Sequence, residues 1–558
     1  MSPGQNSLAN LHSKLIIIYF CVFPLLYLPG TFEIYALRES VFFLLTGVLL
    51  ISFALSNHYL PLKTNCIDKI LIVAFLVRFT SWCIATVNTQ SIFPLIGMHN
   101  LIFELTILTF YLQIRRLKSN QYSLDLIARW FLGTSLIICL ASYFAPPISL
   151  NSEQGRWQAM FFHPNFLGMF TVCILTISPK LKLGWKVSGV IMILLSGSRI
   201  ALILLILLLL IRRYWLTCLG IIVIGILFLA WRTTHYPVES FRIKGTQALE
   251  MRKEIYAGSV RTILHNPYGT GPQIFGPKVH QYLSPKFHKL FPNPIEHSIY
   301  KAHSSLLEWT AESGWIIPLL FLSGCITLLM IPSSTSRTST ILLLIGSLVS
   351  VILNYPSGLI LLTYLLAISI SNQSNSHSNV AEDKAIYQGI KPLSIVIRML
   401  FPLLFGIFIF LYGILNLRMH IVLPQIIDDL NSGEVESAWV KLDKQLDLPQ
   451  LQLNLLYYYF RISTLAGRNN DVINYFTKHF PAWVDISYQV SLVNLQNGKL
   501  DLALKYIEQS IDFHPFWPQN YLLKATILNR LNLKNEALQA FEKAKKLQSY
   551  GRNFRNRN

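Results

Sequence analysis

Several polar side chains interrupt an otherwise apolar sequence, and their types suit acid–base and anion-binding chemistry. His303 stands in residues 301–304 (KAHS), and a neutral imidazole near pH 7 is suited to act as a general base. Glu308 and Glu312 follow, four residues apart on one helical face, where they would orient His303, bind an acceptor or fill the interface. Residues 196–199 (SGSR) combine a Ser/Gly turn, a helix start and the Arg199 guanidinium, a set that suits phosphate oxygens.

Further polar groups stand at four other positions. Arg156 precedes Trp157, so an interfacial anchor and a binding residue are equally compatible with the sequence. His163 and Asn165 lie in an apolar run, where they need internal partners, and this favours a functional role. Arg252 precedes the stretch 265–271 (HNPYGTG), whose Gly and Pro mostly serve turns, and by itself it resembles a solvated surface charge.

The composition indicates an integral membrane protein. Of 558 residues, 53% are hydrophobic and only 13% are charged, whereas ordinary soluble domains have about 25% charged residues. The formal net charge of +20 reports membrane topology and contact with anionic lipid or substrate, so nucleic-acid binding is not expected. The seven cysteines lie in or beside apolar segments without a CxxC pair, so we expect neither disulfides nor a metal site.

Apolar runs that could cross a bilayer recur about thirteen times, since a span takes roughly 20 residues or somewhat fewer. They cover residues 15–28, 41–54, 67–84, 92–112, 126–144, 160–177, 187–195, 200–211, 215–231, 315–331, 341–353, 358–370 and 395–415. Lys and Arg cluster at alternate connections, and the positive-inside rule therefore places the N-terminus in the cytoplasm. The polar loop of about residues 232–305 and the C-terminal tail then lie outside.

These patterns predict an all-α protein with two domains. Residues 1–420 would form a polytopic bundle of about 12–13 transmembrane helices with a large periplasmic loop, and residues 421–558 an extracytoplasmic helical domain. In the tail, Ala503 and Ala537 are 34 positions apart and Ile507 and Phe541 keep that offset, which is the tetratricopeptide (TPR) period. The tail is then either a TPR-like solenoid with a concave docking surface or an arbitrary helical bundle.

In the order of its motifs the chain resembles the bacterial O-antigen ligase family, which includes protein O-oligosaccharyltransferases and some polysaccharide polymerases. The resemblance covers roughly residues 156–366. It rests on RWQ at 156–158, PN at 164–165, the turn 196–199, Arg252 with the stretch 265–271, the segment from His303 to Gly314, and NYP at 354–356. The KAHS segment departs from the family's common His-x-His-Asn, so the second imidazole is dispensable or Lys301 helps to bind phosphate. Asn354 stands where the protein-glycosylating branch usually has Glu.

The resemblance implies a multi-pass enzyme of the bacterial inner membrane that transfers a glycan from an undecaprenyl-diphosphate carrier without metal or cofactor. It implies that His303 activates an acceptor hydroxyl for attack on the anomeric carbon, with inversion. Arg199 and Arg252, together with Arg156, would bind the donor diphosphate. The expected supporting residues are His163, Asn165, Lys301, Glu308 and Glu312.

The acceptor is open at this point. The helical tail resembles the protein O-oligosaccharyltransferases and favours a protein such as a pilin, with lipid A-core as the main alternative and a second lipid-linked glycan, as in a polymerase, as the third. A transporter of polyprenyl glycans is a different class, and Arg78 near the middle of the third span is the kind of costly charge that marks a pathway. A membrane-anchored scaffold would leave the order of Arg199, Arg252 and His303 unexplained.

Overall fold

The structure is a computed structural model that describes most of the chain. The described residues are 3–22, 36–55, 65–89, 93–115, 121–144, 164–214, 217, 219–223, 238–272, 275–284, 287, 302–331, 334–350, 352–354, 356–374, 392–446 and 484–555. They fold into α-helices and two short 3₁₀ helices, His280–Tyr282 and Ile352–Asn354, without a strand. The all-α class expected from the sequence is therefore confirmed.

The helices follow one another with short connections. In chain order they are α1 (Pro3–Val22), α2 (Ala36–Leu55), α3 (Cys66–Thr89), α4 (Phe93–Ile114), α5 (Gln121–Phe144), α6 (Pro164–Ile177), α7 (Leu183–Ser196), α8 (Arg199–Ile211), α9 (Val238–His265), α10 (Phe275–Val279), α11 (Ser305–Ser313), α12 (Ile316–Met330), α13 (Thr335–Leu348), α14 (Pro356–Ser374), α15 (Pro392–Ser432), α16 (Val435–Leu446), α17 (Val484–Gln496), α18 (Leu500–Phe513), α19 (Pro518–Arg530) and α20 (Lys534–Arg555).

Several of these helices are apolar on all sides, as a bilayer requires of a segment whose backbone must satisfy its own hydrogen bonds. Among the described residues, three helical stretches are long and apolar enough to cross a membrane, and five shorter apolar helices accompany them. The long stretches are 37–55, 66–87 and 400–432. The protein is thus membrane-integral. The number of spans and their orientation stay predictions, and most of the ninth predicted span, 215–231, lies outside the described residues.

The chain divides into two compact units that differ from the predicted domains, whose boundary at residue 420 stays a prediction. The first unit comprises residues 1–72, 103–238 and 321–424. In it, α6 is almost wholly buried and packs against α7, α8 and α13. Where this unit buries a charge it also pairs it, because an isolated charge in an apolar interior is costly. Asp68 is fully buried and accepts hydrogen bonds from Tyr111 and Arg115.

The second unit comprises residues 73–102, 239–320 and 425–558. Its loop part has an apolar core that joins α9, α10 and α11. The buried residues of this core are Ile255, Ile263, Phe275, Val279, Leu283, Phe287, Ala302 and Ala311. This core fixes the relative position of α9 and α11, on which the predicted Arg252 and His303 stand.

The tail of the second unit consists of helical hairpins that repeat one local device. Gly433, Gly498 and Asn532 have positive φ angles and each turns the chain just before a helix begins. Five residues later, each of those helices presents a buried alanine that lets its partner helix approach. These alanines are Ala438, Ala503 and Ala537. The 34-residue correspondence is only partial, since Ile507 is fully buried whereas its counterpart Phe541 is 48% exposed. Assignment as a TPR solenoid stays a prediction.

Candidate functional site

The segment around His303 has a specific backbone structure that the N-terminus of α11 imposes. Ser304 is the N-cap of α11, and its hydroxyl accepts a hydrogen bond from the Leu307 N–H. One turn into the helix, the buried Glu308 carboxylate accepts a hydrogen bond from the Ala302 N–H at 2.9 Å. Between these two contacts His303 adopts a left-handed conformation, with φ of +56°. Such a conformation costs a non-glycine residue about 1–2 kcal/mol, so its neighbours hold His303 in place.

Helix α9 supplies the second part of the site. Arg252 and Tyr256 are four residues apart and therefore lie on one face of the helix. The Tyr256 hydroxyl donates a hydrogen bond to the backbone carbonyl of His303 at 3.2 Å. Burial raises the pKa of Tyr256, and the nearby Arg252 partly offsets this effect. The phenol therefore stays protonated at neutral pH and remains a donor.

The electrostatic environment favours the neutral form of His303. Burial lowers the pKa of His303 below its usual value, and the positive charge of Arg252 lowers it further. Both effects act against the imidazolium, because burial penalises a charge and a second cation repels it. His303 is half-buried and so is open on part of its surface. A neutral imidazole beside an exposed guanidinium can accept a proton while the guanidinium binds an anion.

The stretch 265–271 (HNPYGTG) has a structural task that the sequence left open. The Thr270 and Gly271 N–H groups donate to the carbonyls of Ala311 and Glu312, each at 2.9 Å. Gly314 follows the helix with φ of +86°, and a Cβ there would lie 2.5 Å from the Pro267 carbonyl oxygen. The stretch thus docks against the last turn of α11 and supports the helix that carries His303.

Glu312 and Glu308 both turn inward, which decides among their predicted roles. Glu312 forms an ion pair with Arg78 of α3, with 3.2 Å between Nη2 and Oε2 and with side chains that are only 6% and 8% exposed. Glu308 is bound to Ala302, as described above. Both carboxylates therefore position protein groups, which disfavours a role in binding the acceptor. The third-span arginine has a buried partner, so its presence does not call for a transport pathway.

The other predicted residues lie elsewhere. Arg199 is the first residue of α8 and is exposed, next to Ser198, which caps the helix by accepting from the Ala201 N–H. Asn165 is half-buried at the start of α6. Both belong to the first unit, whereas Arg252 and His303 belong to the second. The shared diphosphate clamp of Arg199 and Arg252 therefore stays a prediction. Three predicted residues lie outside the described part of the chain, namely Arg156, His163 and Lys301.

The region that carries this geometry also has a recognisable sequence. Residues 186–322 match the O-antigen ligase family model. The match covers about a quarter of the chain and includes Arg199, Arg252 and His303. It supports a relationship to the O-antigen ligases and, in general terms, glycan ligase or transferase activity. A comparison with curated proteins finds no match.

The tail contacts the loop part of the second unit close to these elements. His280, in the 3₁₀ helix that follows α10, lies against His514 at the end of α18, with 4.5 Å between the ring centroids. Both imidazoles are buried. Val279, the residue before His280, belongs to the apolar core that also holds Ala302 and Ala311. The tail therefore packs on the same body that positions His303.

Two residues of the site escaped the sequence reasoning. Tyr256 lies mid-helix in an amphipathic run, where a tyrosine usually serves packing, and only the +4 spacing from Arg252 hinted at a shared face. Ser304 was quoted as part of KAHS, but its role as the N-cap of α11 became visible with the helix start.

Proposed function

We propose that the protein transfers an oligosaccharide from an undecaprenyl-diphosphate carrier to an acceptor hydroxyl on the periplasmic face of the inner membrane. The observation that carries this proposal is the pairing of a half-buried neutral His303 with Arg252, inside the region that matches the O-antigen ligases. His303 removes the proton of the acceptor hydroxyl as its oxygen attacks the anomeric carbon. The bond to the diphosphate breaks on the opposite face, so the configuration inverts.

The chemistry asks little of the protein beyond these groups. A lipid diphosphate is already a good leaving group, so positioning, charge stabilisation and one proton acceptor suffice, without metal or cofactor. Arg252 binds the diphosphate oxygens, and Arg199 joins it from the turn before α8. The guanidinium fork matches such oxygens in a bidentate way that a lysine cannot reproduce.

A protein hydroxyl, such as a Ser or Thr of a pilin, is our first proposal for the acceptor. The tail supports it because its hairpins pack on the body that holds His303, through His280 and His514. A TPR-like surface at that place would present an acceptor segment to the site. Lipid A-core and a growing polysaccharide are the other acceptors that the experiment must separate.

The test is transfer by the purified full-length protein in lipid nanodiscs. The donor is an undecaprenyl-diphosphate oligosaccharide, offered in separate reactions with a pilin-like protein and with lipid A-core. We expect glycan on the protein, and its loss in His303→Asn, because Asn tolerates the left-handed backbone but cannot accept the proton. His265→Asn is the matched control, since His265 is an exposed imidazole at the end of α9.

Each other outcome has a defined meaning. Glycan on the lipid would keep the reaction and change the acceptor, and a lengthened donor would make the protein a polymerase. A donor that stays intact in every reaction would contradict transferase activity and favour a transporter. Wild-type rates in His303→Asn would remove the proposed base.

A further inference from the structure

The last turn of α11 is bound from two sides, and the contacts account for its exposed backbone. The final carbonyls of a helix lack partners within the helix. Here the Thr310 carbonyl accepts from Gly314, the Ala311 carbonyl from Thr270, and the Glu312 carbonyl from Gly271. A buried helix end that is satisfied in this way is held in a defined position.

The membrane helix α3 provides the other side. Ser81 donates its hydroxyl hydrogen to the Glu312 carbonyl at 2.6 Å. One turn earlier, Arg78 donates from Nη1 to the Ser313 hydroxyl at 3.1 Å and pairs through Nη2 with the Glu312 carboxylate. One face of α3 thus binds the backbone and both terminal side chains of α11.

The helix lengths place this contact below the membrane surface. With a rise of about 1.5 Å per residue, Arg78 lies about 18 Å from the first residue of α3 and about 16 Å from its last. α12 has 15 residues, or about 22 Å, and is shorter than the hydrocarbon thickness of about 30 Å. α11 adds nine residues, or about 13 Å, before the break at Gly314. Together, α11 and α12 are long enough to span the bilayer.

We propose that α11 and α12 form one broken membrane helix, and that Arg78 is a positioning residue that holds the end of α11 and so sets the height of His303. The length of α11 then carries His303 from the level of Arg78 to the outer membrane surface, where the diphosphate of a lipid-linked donor lies. This step rests on the proposed function. The anchoring of α11 by Arg78 does not.

The ion pair suits this task because neither partner tolerates loss of the other. A charge left alone among apolar side chains at membrane depth is costly, so the pair persists only at the geometry that satisfies both groups. A lysine in place of Arg78 keeps the positive charge but cannot bind Glu312 and Ser313 together, because it lacks the planar fork.

The test compares Arg78→Lys with Arg115→Lys in the full-length protein in nanodiscs. Arg115 is a matched control because it pairs with Asp68 at the other end of α3 and is equally buried. Two quantities are measured for each variant. They are hydrogen exchange of the Thr270 and Gly271 amides, which bind α11, and the turnover and donor KM of glycan transfer.

For Arg78→Lys we expect faster exchange at these amides and a turnover reduced about 10- to 100-fold, because a misplacement of about 1 Å costs about 100-fold in rate. The donor KM should stay unchanged, since Arg78 does not bind the donor. Arg115→Lys should change neither quantity at the site.

Three results would overturn the proposal: exchange that rises without a loss of turnover, turnover that falls without a change in exchange, and equal effects in both variants. If the wild type transfers no glycan at all, the proposed function fails. The exchange comparison then still decides whether Arg78 anchors α11.

Discussion

The hydrogen bond from Tyr256 to His303 allows a quantitative prediction, because Tyr256→Phe removes one hydroxyl and nothing else. The Tyr256 hydroxyl binds the carbonyl of a residue that is held in a left-handed conformation. A neutral hydrogen bond contributes about 0.5–1.5 kcal/mol net. At 3.2 Å this bond is long for an O–H donor, so we take the lower part of that range, about 0.5–1 kcal/mol.

If this energy serves to hold His303 in its reactive orientation, Tyr256→Phe should slow transfer about 2- to 5-fold. The assay is single-turnover transfer at saturating donor, so that binding does not contribute. The donor KM should not change, because the hydroxyl acts through His303. Since the pKa of Tyr256 lies above its usual value, the effect should be the same at every pH from neutral to mildly alkaline.

Tyr268→Phe is the matched control, since Tyr268 is 76% exposed and lies on the turn that docks against α11. An unchanged rate in Tyr256→Phe would refute the positioning role, and so would equal losses in the two variants. A loss of 100-fold or more would also contradict the reasoning, because it would place the phenol on the substrate itself.

Three further predictions follow from the same geometry. Arg252→Gln removes a cation that lowers the pKa of His303, so that pKa rises and the acidic limb of the pH–rate profile should move to higher pH, whereas Arg252→Lys should leave the limb in place. An acidic limb that stays put in Arg252→Gln would exclude this coupling. Gly314→Ala should lower the thermal midpoint by an amount equivalent to about 1–2 kcal/mol or more, from the left-handed backbone alone, because its Cβ also meets the Pro267 carbonyl; a midpoint equal to that of the wild type would mean that the turn can move away. Truncation after Ser432 should impair modification of a protein acceptor more than consumption of the donor, and equal losses, measured on the same samples, would make the tail a stability element.

The sequence predicted the helices well because their signal is local. A long apolar run in a bilayer has the helix as its main option, and the turn at 196–199 between α7 and α8 was visible as two serines and a glycine between apolar runs. In the tail, glycines followed five residues later by a small residue marked the helix starts. Asn532, which takes the same left-handed conformation, was not recognised because its residue type is less specific than glycine.

The site was only partly accessible from sequence, because its decisive contacts join distant residues. Arg252 and His303 were expected together, and the structure brings them together. Arg78 and Glu312 are separated by 234 positions, and a single sequence offers no signal that would pair them. The inward direction of Glu308 was equally hidden, because a helical face can point to the solvent or to the core with the same spacing.

The most direct test of the central claim, that His303 is the proton acceptor, is chemical rescue of His303→Gly. Glycine suits the φ of +56° and leaves a gap where the imidazole stood. Single-turnover transfer is measured with and without added imidazole. We expect transfer to be lost in the variant and partly restored by imidazole, in proportion to its neutral fraction. Wild-type transfer by His303→Gly without imidazole would contradict the account.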